Sequence, residues 1–207
     1  MSSRRSNIWR SLLGGSSSRK AKAAPKKTRL SVEALEDRTV PSFAEFVDPN
    51  PNAGNQFGNT ILALSTGNVV ITSPYDDAGG TDAGAVYLFN GATGQLISAL
   101  RGSTPNDYVG SGVTALSNGN YVVRSLDWGN VGAADAGAVT WGSGDTGVSG
   151  AVSAANSLVG STARDLVGLN GATALSNGSY VVVSGNWDNG AAANAGAATW
   201  GGMGFRG

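Results

Sequence analysis

No cysteine and no histidine occur among the 207 residues of this chain. The first absence removes any disulfide framework and all thiolate chemistry, and the two together remove zinc sites built on Cys or His. Triads of the Ser-His-Asp or Cys-His kind are excluded as well, because their general base is missing. No apolar run approaches the ~18–20 residues that cross a bilayer as a helix, so no stable membrane insertion is expected. Helix-forming Glu, Lys, Leu and Gln thin out after residue 50. In their place stands Gly, 32 of 207 residues, with abundant Ala, Ser, Asn and Thr. Ordinary Gly usage is roughly 7%, and this surplus suits short strands joined by tight turns.

A formal net charge of zero hides a division. Residues 1–38 hold ten Lys/Arg against three acids, a surplus of +7, while residues 39–207 hold four against eleven, −7. A nucleic-acid-binding body needs a basic face, so the acidic body argues against DNA or RNA as its partner. The basic head, with Arg19, Lys20, Lys22, Lys26, Lys27 and Arg29, attracts polyanions weakly, and targeting or plain solvation accounts for it better. Its apolar residues Ile8, Trp9, Leu12 and Leu13 are interrupted by Arg10 and Ser11, which makes a poor conventional signal peptide. Leu30, Ala34 and Leu35 fall at helical spacing and Pro41 stops such a helix. Residues 1–41 therefore read as a mostly disordered basic export or targeting segment with a short helix near 30–38.

From residue 42 onward the chain repeats. Ala115-Leu116-Ser117-Asn118-Gly119-Asn120-Tyr121-Val122-Val123 returns as Ala174-Leu175-Ser176-Asn177-Gly178-Ser179-Tyr180-Val181-Val182, and in weaker form as Ala63-Leu64-Ser65-Thr66-Gly67-Asn68-Val69-Val70. A second block, Ala136-Gly137-Ala138-Val139-Thr140-Trp141, returns as Ala195-Gly196-Ala197-Ala198-Thr199-Trp200 and weakly as Ala83-Gly84-Ala85-Val86. The Ser of the Leu-Ser turn recurs at 65, 117 and 176, and the extra length of the second step falls in Gly/Ser/Ala-rich residues 142–155, which read as a surface loop. Units of about 55–104, 106–162 and 164–207 result.

Within the first unit, four β-branched or aromatic runs bounded by Gly, Asn and Ser read as strands at 60–64, 68–72, 85–89 and 95–101. Thr66-Gly67 and Asn118-Gly119 supply turn residues that tolerate φ > 0. Four antiparallel strands per unit of roughly 50 residues describe a β-propeller blade. The expected fold is thus all-β, a propeller-like array of about three four-stranded blades, partial or open.

Three resemblances follow from these residues. Gln56-Phe57-Gly58-Asn59, with Ile71-Thr72-Ser73-Pro74 and Gly84-Ala85-Val86-Tyr87-Leu88-Phe89, resembles the FG-GAP repeat, the blade of integrin-type propellers. The second and third units resemble an uncharacterised repeat of large bacterial surface proteins of the filamentous-haemagglutinin kind. Val32-Glu33-Ala34-Leu35-Glu36-Asp37-Arg38 is similar to the planctomycete-type N-terminal motif of extracellular proteins. The resemblances imply a propeller-like fold, export from a bacterial cell and a place in the medium or on the cell surface, with no activity attached. Many FG-GAP blades carry an Asp-rich calcium loop between the first two strands. Here those positions are Ser65–Asn68, Ser117–Asn120 and Ser176–Ser179 and hold no carboxylate, so plain turns without a metal are expected.

The acids of the body sit mostly in loops. Asp82 aligns with Asp135 and Asn194, and Asp107 with Asp165, and such recurrence favours turn capping by Asx side chains over a glycosidase-like carboxylate pair. Asp76 and Asp77, followed by Asp82, either gather a cation or form a solvated acidic loop. The Trp residues pair as Trp141/Trp200, closing a strand and packing between blades, and Trp128/Trp187, in the Asn/Gly-rich loop after the second strand. A ring there either stacks on a sugar or partner surface or packs over the blade edge. Trp128 and Trp187 are the best binding candidates of the sequence, with Asp76 and Asp77 beside them; no catalytic residue and no cofactor is assigned.

Propellers usually need four to eight blades. Residues 43–47 stand before the first unit as residues 157–159 stand before the third, and read as a closing strand for the third blade. Three blades are too few for an ordinary ring, so the array is either a piece of a longer propeller or completes itself by forming a homo-oligomer. The reading that results is a non-catalytic, exported surface or matrix binding and adhesion module whose partner is an extracellular glycan or protein. Its alternatives are a degenerate propeller enzyme acting on glycans, which should break the repeat symmetry with unique acids, and a non-functional fragment of a larger surface protein.

Overall fold

A computed structural model describes residues 45–202, and the expectations for residues 1–41 and for Phe43 and Ala44 lie outside that range. The described residues are all-β, with twelve strands in three sheets that do not close on one another. The first sheet orders β1 (Ile61–Ala63), β2 (Asn68–Ser73), β3 (Ala85–Asn90) and β4 (Leu96–Arg101) as an antiparallel meander. The second orders β5 (Gly112–Ala115), β6 (Tyr121–Ser125), β7 (Ala138–Gly142) and β9 (Ser157–Val159). The third holds β10 (Ala172–Ala174), β11 (Tyr180–Ser184) and β12 (Ala197–Gly201). The four strands expected in the first unit are therefore all present. Among the described residues no helix is long and apolar enough to cross a membrane.

One strand falls where a loop is expected. Gly150–Ala151 form β8, which adds to the first sheet in parallel with Leu100–Arg101. The insertion at 142–155 is therefore a strap from the second unit to the first. Val152 joins the core between the first two sheets, with Val148 packed against it. Burial of these two valines is the physical reason that a Gly/Ser/Ala-rich stretch is held down.

Each sheet alternates its side chains between two faces, and successive sheets pack face to face. Val70, Val86, Leu88 and Leu100 meet Tyr121, Val123 and Ala138. Val122 and Val139 meet Tyr180 and Val182, with Trp141 partly buried against them. The first strands stand side by side, β1 next to β5 and β5 next to β10, as the innermost strands of propeller blades do. A size exchange fits the aromatic rings: Tyr121 lies across Gly142 and Tyr180 across Gly201, where a Cβ would overlap the ring. Val69 and Phe89 hold the matching positions of the first sheet. Phe46 lies against Phe89, 5.4 Å between ring centroids, and Phe57 packs on Tyr87 and Phe89. Residues 45–47 are thus irregular backbone on the first sheet and not a closing strand on the third, because Phe46 finds an aromatic partner there.

The repeated Leu-Ser-Asn-Gly stretches are more than the plain turns expected of them. Ser117 Oγ donates to the Leu175 carbonyl at 2.8 Å and Asn118 Nδ2 to that of Gly178 at 3.3 Å, so the turn of the second unit grips the turn of the third. Thr66 Oγ1 and Asn68 Nδ2 both donate to the Gly144 carbonyl, and the Gly144 N–H donates to Asn120 Oδ1. The side chains repeat because they join units along one rim. Replacing both Ser117 and Asn118 by Ala should cost about 1 kcal/mol, since part-exposed bonds of this kind each contribute little. The loss is read as a lowered urea midpoint, and an unchanged midpoint would show that the turns do not hold the units together.

Candidate functional site

The end of the array opposite in role to these turns is built from two short segments in left-handed backbone. Asp82, Asp135 and Asn194 have φ of 54°, 53° and 51°, each two residues before a glycine of positive φ. Asp and Asn tolerate this region better than other side-chain-bearing residues, which explains their recurrence there. None of the three acts as a side-chain cap. Capping is done instead by Asp77, which accepts the Asp82 N–H at 2.9 Å, and Asp188, which accepts that of Asn194 at 2.7 Å.

Against the first two of these turns lie the lead-ins to the next units, residues 106–110 and 164–168. There φ is positive at every second residue, including Tyr108 at 43° and Leu166 at 46°. Non-glycine residues in this region cost on the order of 1–2 kcal/mol each, so something must hold them. Three backbone bonds do so: Asn106, Tyr108 and Val109 donate to the carbonyls of Thr81, Asp82 and Ala83 at 2.9, 3.2 and 2.9 Å. Arg164, Leu166 and Val167 repeat them on Ala134, Asp135 and Ala136.

Asp107 and Asp165 lock the junction, as recurrence in the sequence predicts. Asp107 Oδ2 accepts the N–H groups of Ser103 and Thr104, both at 2.8 Å, while Oδ1 accepts Thr104 Oγ1 at 2.6 Å and the Gly129 N–H at 3.2 Å. Asp165 takes Ser161, Thr162 and Asp188 N–H groups in the same way. Both carboxylates are buried and fully occupied in joining one unit to the next.

The four candidate residues fall into this scheme. Asp76, Trp128 and Trp187 occupy one repeat position: each donates its N–H three residues back, to Ser73, Ser125 and Ser184, and accepts from Gly84, Gly137 and Gly196. The Ser-x-x spacing before all three makes the equivalence readable in the sequence, yet the change of residue type conceals it. Asp76 is completely buried, contrary to a solvated acidic loop, and accepts from Tyr87 Oη at 2.6 Å, Ala78 N at 2.8 Å and Asn50 Nδ2 at 3.0 Å. Burial, followed by this bond, pushes the Tyr87 hydroxyl well above the usual tyrosine range. Asp77 binds Asn52 as well as its turn. Among the described residues no group of three His, Cys, Asp or Glu side chains is placed to hold a metal ion.

Trp128 is 5% exposed and belongs to the core between the first two sheets, and Trp187 packs against the next core. The Trp128 ring is therefore taken up by packing, while Trp187 is half-buried against its neighbours. Trp200, expected between blades, is 59% exposed.

The loop that Trp128 anchors nevertheless borders a cavity of about 790 Å³, a groove lined by Ser103, Thr104, Asn130, Val131, Val152 and Ser153 among others. Val131 stands fully exposed at its rim. Beside it, a second groove of about 570 Å³ follows β4 and β8 and shares Ser103. Neither lining contains a carboxylate. Asp127, just before Trp128, is raised from the usual Asp value by partial desolvation and then by Asp135, although its side chain is exposed, and it is not part of either lining.

The fold and these junctions define an open array of propeller blades joined by buried aspartates. Comparison with known families finds repeats along the same stretch. Residues 42–89 match the FG-GAP repeat, and residues 115–169 and 174–206 match a family described as a repeat of unknown function (DUF5650). No curated protein matches the chain. The two families meet in one chain with the same hydrogen-bond scheme, so they are here two versions of one blade.

Two stability predictions follow the geometry. Asp107→Ala leaves four donors without their acceptor and should cost about 2–4 kcal/mol, while Asp107→Asn, keeping one acceptor oxygen, costs less. Equal losses in chemical denaturation would contradict the role given to both oxygens. Trp128→Ala, a cavity in a core, should cost about 3–5 kcal/mol and Trp187→Ala distinctly less, as measured by thermal and urea unfolding.

Proposed function

We propose that the chain is a non-catalytic binding module working outside the cell, and that the groove between Ser103-Thr104, the 129–134 loop and Val152-Ser153 is its ligand surface. The observation that carries this reading is the composition of the groove. Ser103, Thr104, Asn130 and Ser153 line it together with Val131, Val152 and Trp128, and no charged residue does. Such a lining suits a neutral, hydroxyl-rich ligand, an extracellular glycan or an uncharged peptide loop, better than an ion or a nucleic acid. The buried acids support binding over hydrolysis, because Asp76, Asp107 and Asp165 are committed as acceptors to backbone and side-chain donors and none faces the groove. The FG-GAP match supports a place outside the cell and an adhesive role.

Because Trp128 is structural, the groove is tested at Asn130 and Val131, which are not in the core. A glycan array and a panel of matrix proteins should yield a ligand whose affinity falls about tenfold or more in the Asn130→Ala, Val131→Asp double variant. A ligand bound equally well by that variant would move the site elsewhere, and turnover of an arrayed glycan would replace binding with catalysis.

A further inference from the structure

We propose that a second copy of this chain docks head-to-tail on the outer face of the third sheet, its first unit standing there as the second unit stands on the first. The molecule holds two finished examples of the junction and the two unmatched halves of a third.

The acceptor half is the third unit. Val70 and Leu88 of the first sheet, and Val122 of the second, are covered by the following unit at 0% exposure, and Trp141 is half-buried there. The same registers of the third sheet pair Val181 with Trp200 and Val183 with Ala198, and there Trp200 is 59% and Val183 37% exposed. The carbonyls of Ala193, Asn194 and Ala195, equivalent to those that receive a lead-in twice already, accept no hydrogen bond among the described residues. A Cβ at Gly84 or Gly137 would overlap the Val109 or Val167 backbone of the next unit, whereas at Gly196 it would meet only its own unit, no closer than 3.5 Å. At the turn rim, Ser176 Oγ and Asn177 Nδ2 donate to no described group, though their counterparts Ser117 and Asn118 grip the next turn.

The donor half is the first unit. Gly54, Gln56 and Gly58 have φ of 91°, 52° and 90°, the alternation of the two docked lead-ins. The N–H groups of Gly54, Gln56 and Phe57, equivalent to the three donors of each finished junction, have no acceptor among the described residues. Three donors without acceptors and three acceptors without donors, in matching backbone conformation, are complementary. Residues 45–48 precede this lead-in as β4 and β9 precede theirs, and in the docked pair they supply β12 with the fourth strand that the first two sheets have and the third lacks. Within one copy this segment is held on the first sheet by Phe46 and Phe89, two sheets away from β12. A head-to-tail contact of this kind closes when the rotation permits.

Light scattering on the full chain at micromolar concentration should give twice the 20.7 kDa chain mass. Gly196→Asn, which keeps the positive φ but fills the socket, and Trp200→Ser should each weaken association by about tenfold or more, with circular dichroism unchanged. The chain has no cysteine, so a Gln56→Cys chain mixed with an Asn194→Cys chain reports orientation. The mixed disulfide should form, since the equivalent residues are Tyr108 and Asp82, and Leu166 and Asp135, already bonded neighbours. A monomer at these concentrations, a dimer that survives both surface variants, or a Gln56→Cys homodimer in place of the mixed species would overturn the proposal.

Discussion

The junction between units is the constraint on which the rest of this structure depends. A lead-in segment with alternating left-handed residues inserts three N–H donors into three carbonyls of an equally left-handed turn, and a buried aspartate ties the chain on both sides. Each segment by itself carries strained backbone and unpaired polar groups, which is costly. Together they satisfy each other. The sheets then face one another at a fixed offset, and the valines and tyrosines between them are buried because the junction has already set their register.

The repeats that look most alike in sequence and those that look least alike are joined by the same bonds. The first unit, with its FG-GAP residues, and the second and third, with their Ala-Leu-Ser-Asn-Gly turns, use the same Ser carbonyl and the same glycine N–H around the Asp76, Trp128 and Trp187 position. What differs is how the space is filled. Asp76 enters a polar cluster with Tyr87 and Asn50, whereas Trp128 fills an apolar core at the same place. A blade tolerates that exchange because the backbone scheme, rather than the side chain, fixes the position.

A groove without charged groups lies beside the first junction and shares Ser103, Thr104 and Gly129 with it. The strap at 142–155 borders it on the other side. It is an insertion relative to the neighbouring unit, yet it adds a strand to the first sheet and supplies Val152 and Ser153 to the groove wall.

By itself the sequence determines the local pattern: strands at β-branched runs, turns at Thr-Gly and Asn-Gly, the number of units, and capping by Asp107 and Asp165, because these depend on residues close in the chain. It also excludes thiol, histidine and disulfide chemistry by composition alone. The tertiary structure decided everything that depends on which face of a strand meets a neighbour. It buried Trp128 and Asp76, left Trp200 exposed, placed Phe46 on the first sheet, and turned the Leu-Ser-Asn-Gly stretches into links between units. A one-residue alternation fixes the two faces of a strand but not what covers them, and that is set only when the next unit is docked.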